Sequence, residues 1–251
     1  MSIARTDNST LGRWWWTVDR WTLLVLMVLA TIGVVLAMAA SPPVAERIGL
    51  DSLHFVRRQA TYLPLALLVM VGVSLLSPVG ARRLATIVFL GAVLMLIATL
   101  MVGTEIKGAR RWISIAGFSL QPSEFVKPAL AVVCAWMFAA SRLGEDIPGN
   151  RIACILFALV AGLLLLQPDV GQALVVSAVW FSQWFLAGLP MIWVAVTIGL
   201  GIAGLTAAYF IFPHVASRID RFIDPASGDS YQVDRAMEAF MNGGMWGRGP
   251  G

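Results

Sequence analysis

The chain has 251 residues, 59% of them hydrophobic and 13% charged, with a mean hydropathy of +0.81. That composition excludes an ordinary soluble globular domain. The net charge of +4 does not point to nucleic acid in so apolar a chain.

Seven apolar runs reach or approach the ~20 helical residues that cross a bilayer core. They lie near 21–40, 60–76, 84–103, 125–140, 152–167, 170–187 and 189–212. The fourth to sixth are short and require tight turns or local thinning. The expected fold class is an all-α polytopic membrane protein: an N-terminal segment at 1–20, a transmembrane helical domain of seven spans at 21–212, and an extramembrane loop from 213 to 251. The first run imitates a signal peptide, with a basic leader and Ala37-Met38-Ala39 as a small-residue site. At about 18–20 residues it exceeds the usual apolar core of roughly 7–15, so a retained first helix is favoured. Trp14, Trp15, Trp16 and Trp21 then read as an interfacial aromatic anchor. Cys134 and Cys154 fall inside runs and read as packing residues, not a disulfide. His54 and His214 read as isolated, and no metal-ligand spacing is present.

Charge placement is more telling than charge count. Outside the runs lie 17 of the 18 basic residues, and only Lys127 remains. Among the acids, only Glu124 and Asp169 fall at or inside helix boundaries. Ionisable groups near membrane depth are functional candidates by default, which singles out Glu124, Lys127 and Asp169. With the N-terminus inside, the internal segments carry 7 basic residues and the external ones 10. The positive-inside rule does not support that topology. Either the topology is inverted, or the external basic residues are kept to bind an anion.

The segment 104–127, TEIKGARRWISIAGFSLQPSEFVK, carries the densest chemistry. Lys107, Arg110 and Arg111 with Trp112 form a basic loop at a membrane face. Attraction to anionic headgroups, ~1 kcal/mol per residue, and bidentate grip on a phosphate explain it equally well. Gln121-Pro122-Ser123-Glu124 suits a helix first turn, and Glu124 shares a face with Lys127 three residues on. Charges at membrane depth cost ~2.5–3.5 kcal/mol each, while an exposed helical pair returns only ~0.2–0.5. A plain helix-start ion pair therefore accounts poorly for these residues, and a polar cavity accounts better. Asp169, in Pro168-Asp169-Val170-Gly171, reads as a helix N-cap in a tight turn or as a polar group facing that cavity. Arg218 and Arg221 follow the seventh run as a solvated helix end, or share one face if the helix continues. The run NGGMWGRGPG lacks the Lys-Ser/Thr of a P-loop.

These motifs in this order resemble the SEDS family (shape, elongation, division and sporulation proteins), the division branch more than the elongation branch. The resemblance rests on HFVRRQATYLPLAL at 54–67, KGARRWISIAGFSLQPSEFVK at 107–127, QPDVGQALVV at 167–176, and RIDRFIDP with YQVDRAMEAFMNGGMWGRGPG at 218–251. It implies a ten-helix protein of the bacterial inner membrane, with the N-terminus cytoplasmic and the segment from 213 periplasmic. It further implies polymerisation of lipid II into peptidoglycan strands, alongside an FtsI-type class B penicillin-binding protein and other divisome proteins. Lys107, Arg110, Arg111, Trp112, Gln121, Ser123, Glu124, Lys127, Asp169, Arg218 and Arg221 would line the cavity, the arginines stabilising the departing pyrophosphate. No cofactor is indicated, and a divalent cation beside the pyrophosphate is compatible with the resemblance. The family's catalytic aspartate would lie beyond Gly251, so the chain is expected to be an N-terminal fragment, inactive alone. Flipping of a lipid-linked precursor and a non-catalytic scaffold are the alternatives.

Overall fold

Helix α1 (Thr10–Thr17) is followed by α2 (Arg20–Arg47), α3 (His54–Ser74) and α4 (Pro78–Val102). Three short strands come next, β1 (Thr104–Ile106), β2 (Ala109–Ile115) and β3 (Phe118–Leu120). The chain continues through α5 (Pro122–Arg142), α6 (Gly149–Leu166), α7 (Val170–Leu186), α8 (Met191–Ile211), α9 (Pro213–Ile223) and α10 (Tyr231–Gly243). The structure, a computed structural model, describes residues 9–106, 109–115, 118–224, 231–244 and 247. Elements α1–α3 with α10 form one unit and α4–α9 a second.

Among the described residues, α2, α4, α5, α6 and α8 are long and apolar enough to cross a membrane. Helix α7 is apolar but has 17 residues, and α3 carries Arg57 and Arg58 near its start. These seven helices occupy the seven expected runs, and the chain is a multi-pass membrane protein. Three boundaries differ from expectation. Helix α2 continues through Pro42 and Pro43, as membrane helices tolerate when freed backbone groups find other partners, so the connection to α3 shrinks to 48–53. Helices α1 and α10 arise in the N-terminal segment and in the expected extramembrane loop, because their hydrophobicity is amphipathic and invisible to a search for continuous apolar runs. The basic loop, read as irregular, is an antiparallel meander in the order β1-β2-β3.

In the second unit α4, α5, α6 and α7 pack around Leu96, Val126, Leu130, Cys134, Val160, Leu164 and Val176. Apolar burial gives little drive for helix association in lipid, so close approach and interhelical hydrogen bonds must supply specificity. Both are present. A Cβ on Gly149 would lie 2.0 Å from the Met137 carbonyl oxygen, so only glycine allows α6 to start this close to α5. Gln167, 2% exposed, donates to the Leu96 carbonyl at 2.9 Å. Trp180 donates to Ala153 O at 3.2 Å and Gln183 to Ala131 O at 2.9 Å. Cys134 places its sulfur 3.9 Å from the Ala153 carbonyl oxygen, a packing role. Where α5 and α7 end, Arg142 donates to Leu186 O at 3.3 Å.

Candidate functional site

The N-termini of α5, α7 and α9 and strand β2 all lie at the opposite end of this bundle. The meander aims the side chains. Thr104 pairs with Trp112 and Glu105 with Arg110, so two steps along β2 oppose one along β1 and Arg111 is the extra residue of a β-bulge. Bulges re-aim side chains. Arg111 turns inward while its neighbours Arg110 and Trp112 are exposed. The adjacent basic residues Arg110 and Arg111 are split between two directions, as successive residues of a strand must be. Lys107 lies outside the described residues.

Arg111 donates through Nη2 to the Pro168 carbonyl at 2.6 Å, and its Nη1 stands 3.7 Å from Asp169 Oδ1. The Asp169 side chain is 6% exposed and that of Arg111 29%. Asp169 occupies the N-cap position of α7 but makes no side-chain cap bond. Its carboxylate faces the guanidinium instead, so the expected helix-start position holds while the side chain caps nothing. Arg111 Nε is buried without a hydrogen-bond partner among the described residues.

One turn into α7, Gln172 donates to Glu124 Oε1 at 3.0 Å. Lys127 Nζ donates to the same oxygen at 2.9 Å and stands 2.9 Å from Oε2. Glu124 is 52% exposed and Lys127 24%, so the pair sits at the open rim and not in the packed core. Gln121 is the N-cap of α5, again with no side-chain cap bond. Ser123 is 1% exposed, and its hydroxyl has no partner among the described residues. Below Lys127 a shallow, open groove runs between α5 and α7, past Cys134 and Val176 to Gln183. Its walls are apolar apart from those two ends.

Helix α8 does not continue to the arginines. Phe212 leaves the helical region (φ −110°, ψ 104°) and Pro213 starts α9, held back onto α8 by Tyr209 donating to Asp220 Oδ1 at 2.9 Å. Arg218 is exposed on α9, and the side chain of Arg221 lies outside the described residues. His214, read as isolated, sits in the field of this site. Burial lowers its pKa below the ordinary value, the charges of Arg111 and Arg218 lower it further, and Asp169 opposes them. His214 and Gln172 are the contributors that sequence reading missed. Their only linear signals are spacings, four residues before Arg218 and three after Asp169.

At this end Arg111, Arg218 and Lys127 stand against Asp169 and Glu124, and the N-termini of α5, α7 and α9 carry no side-chain caps. Such an end is fitted to an anion.

Comparison with known proteins shows the family. The model of the FtsW/RodA/SpoVE family, described as cell cycle protein, matches residues 19–251. The chain belongs to this family. Among FtsW/RodA/SpoVE relatives, one named probable peptidoglycan glycosyltransferase FtsW from Caulobacter vibrioides is 44% identical over 251 residues, 100% of this chain and 64% of the relative. Its namesake from Escherichia coli is 30% identical, over 93% of this chain and 58% of the relative. The chain thus spans less than two thirds of these curated relatives. A chain from a structure of a peptidoglycan synthase complex that coordinates polymerization and crosslinking superposes with TM-score 0.70 at 29% identity, covering 91% of this chain and 67% of that one. Thermus thermophilus RodA, a rod shape determining protein, gives 0.61 at 32%, covering 76% and 60%.

Proposed function

We propose that the protein containing this chain polymerises lipid II into peptidoglycan strands during cell division, with undecaprenyl pyrophosphate as leaving group. The observation that carries the reading is the convergence of Arg111, Arg218 and three helix N-termini on one end of the bundle. Glycosyl transfer from a lipid pyrophosphate develops negative charge on the departing phosphate, and fixed donors that need no reorganisation stabilise it best. Arg111 supplies a fork already oriented by Pro168 O and Asp169. Lys127, oriented by Glu124, stands where the polar rim meets the apolar groove. That junction suits an amphiphile with an anionic head and a prenyl tail. Lys107, Arg110, Trp112 and Arg221 complete the proposed binding surface.

The names of the relatives support the glycosyltransferase reading, and the synthase-complex likeness supports a penicillin-binding protein partner of the FtsI class. In this reading the N-terminus is cytoplasmic, the segment from 213 is periplasmic, and the protein works at the septum. The excess of basic residues on the outer side then serves the pyrophosphate.

The test uses the protein at its full genomic length, copurified with its class B penicillin-binding protein and supplied with fluorescent lipid II. Glycan ladders are expected, and Arg111→Ala should reduce them roughly 100-fold, the scale of losing one preorganised donor. Vesicles in which labelled lipid II changes leaflet while the pair makes no ladder would replace this reading with transport.

A further inference from the structure

We propose that α1 is a fixed interfacial helix, and that Trp15, Trp16 and Arg20 form a site for anionic phospholipid headgroups in the leaflet where α2 begins. This stands on a part of the chain remote in sequence from the anion site and does not depend on the polymerase reading.

Position comes first. The apolar window of α2 contains no buried residue, and Trp21 in its first turn is 78% exposed. Helix α2 therefore presents an unbroken apolar surface from its first turn, long enough for a bilayer to cover. Only Val18 and Asp19 separate it from α1, a reach of about 7 Å even when extended. Both helices are capped at their starts: Ser9 Oγ accepts from Gly12 N at 3.0 Å, and Asp19 Oδ1 accepts from Trp21 N at 3.0 Å and Thr22 N at 3.3 Å. A second tether fixes α1 laterally. Trp14 Nε1 donates to Ser74 Oγ at 2.8 Å, at the last residue of α3, and Ser74 donates onward to Val71 O at 2.7 Å. Helix α1 is thus tied both to the start of α2 and to the end of α3.

The chemistry follows from which tryptophan does what. Trp14 is spent on the clamp. Trp15 and Trp16 are 39% and 43% exposed, and the Arg20 guanidinium lies 5.0 and 5.2 Å from their ring centroids. Arg20 Nη2 also donates to Trp15 O at 3.3 Å. A guanidinium held against ring faces keeps in-plane N–H groups for a phosphate oxygen. Indole itself favours the headgroup level, where one edge is wet and the body apolar. Rings and charge together match a phospholipid headgroup.

The experiment reconstitutes the full chain in nanodiscs of mixed phosphatidylcholine and phosphatidylglycerol. The difference in emission between wild type and the Trp15→Phe/Trp16→Phe double variant isolates the two rings. Lipids brominated high in the acyl chain should quench that difference at least about twofold more than deeply brominated ones. A water-like difference signal that neither lipid quenches would overturn the interfacial placement. Brominated phosphatidylglycerol should quench more than brominated phosphatidylcholine, by up to about fivefold for one basic residue at the surface. Arg20→Gln should erase that preference, and equal quenching in the wild type would overturn the headgroup site. Trp14→Phe keeps the ring but loses the N–H, so amide exchange over residues 10–17 should rise about three- to tenfold. Unchanged exchange would refute the clamp.

Discussion

Two ion pairs stand at the same end of the α4–α9 bundle and are built in opposite ways. Glu124 and Lys127 lie three residues apart on one helix, with half of the glutamate exposed. Arg111 and Asp169 lie on a bulged strand and at a helix start, and the aspartate is almost fully buried. Any helix would form the first pair. The second exists only because the meander folds over the α6–α7 turn. A local pair costs little to keep and little to lose. A tertiary pair couples elements, so breaking it leaves a partly buried charge uncompensated.

The sharpest way to break the comparison is Asp169→Ala. With Arg111 still partly exposed, the loss should sit near the low end for a broken buried pair, ~3 kcal/mol, read as a lowered midpoint in detergent-solubilised thermal unfolding. Adding Arg111→Ala should recover part of that loss, because the stranded cation goes with it. A double variant as unstable as the sum of the singles would contradict the pairing. Next comes Gln167→Ala, which removes a tertiary contact without charge. Hydrogen bonds between membrane helices average ~0.6 kcal/mol and reach ~1.7, so a midpoint shift smaller than that of Asp169→Ala is expected. The Glu124–Lys127 pair should give a coupling of only ~0.2–0.5 kcal/mol in a double-mutant cycle. Lys127→Ala should nonetheless depress polymerisation far more than stability, and parallel losses would assign the pair to folding alone.

The smallest expected effect is a pH slope. The pKa of His214 is lowered in the folded chain, first by burial and then by Arg111 and Arg218. Between that depressed value and the ordinary ~6.5, the unfolded chain binds more protons than the folded one. Stability should therefore rise with pH through this window and level off above ~6.5. His214→Gln should flatten that slope, and an identical slope in the variant would remove His214 from the field of the two arginines.

Much of this was legible in linear form, and the reasons are physical. A bilayer demands some twenty apolar residues per crossing, so all seven long helices could be read from hydropathy. Pro122-Ser123-Glu124 marked the start of α5 because proline and an acid suit the first turn. The Glu124–Lys127 contact followed from helical spacing alone. The strands at 104–120 could not be read this way, being too short to show a period. Nor could the bulge beside Arg111, since a bulge is a relation between two strands and not a property of either. Asp169 was placed correctly at a helix start, but its capping duty was overestimated because the competing guanidinium arrives from 58 positions away in the chain.

What the sequence determined by itself was the number of long helices, their approximate limits, and the residues able to carry charge at the membrane edge. Each of these depends only on composition within a window or on spacing along one helix. Tertiary structure alone decided which charges meet. Gln172 reaches Glu124, Arg111 meets Asp169, and His214 enters the field of two arginines only through the packing of α7, β2 and α9. Coulomb and hydrogen-bond energies depend on distance through space, and distance along the chain does not report it.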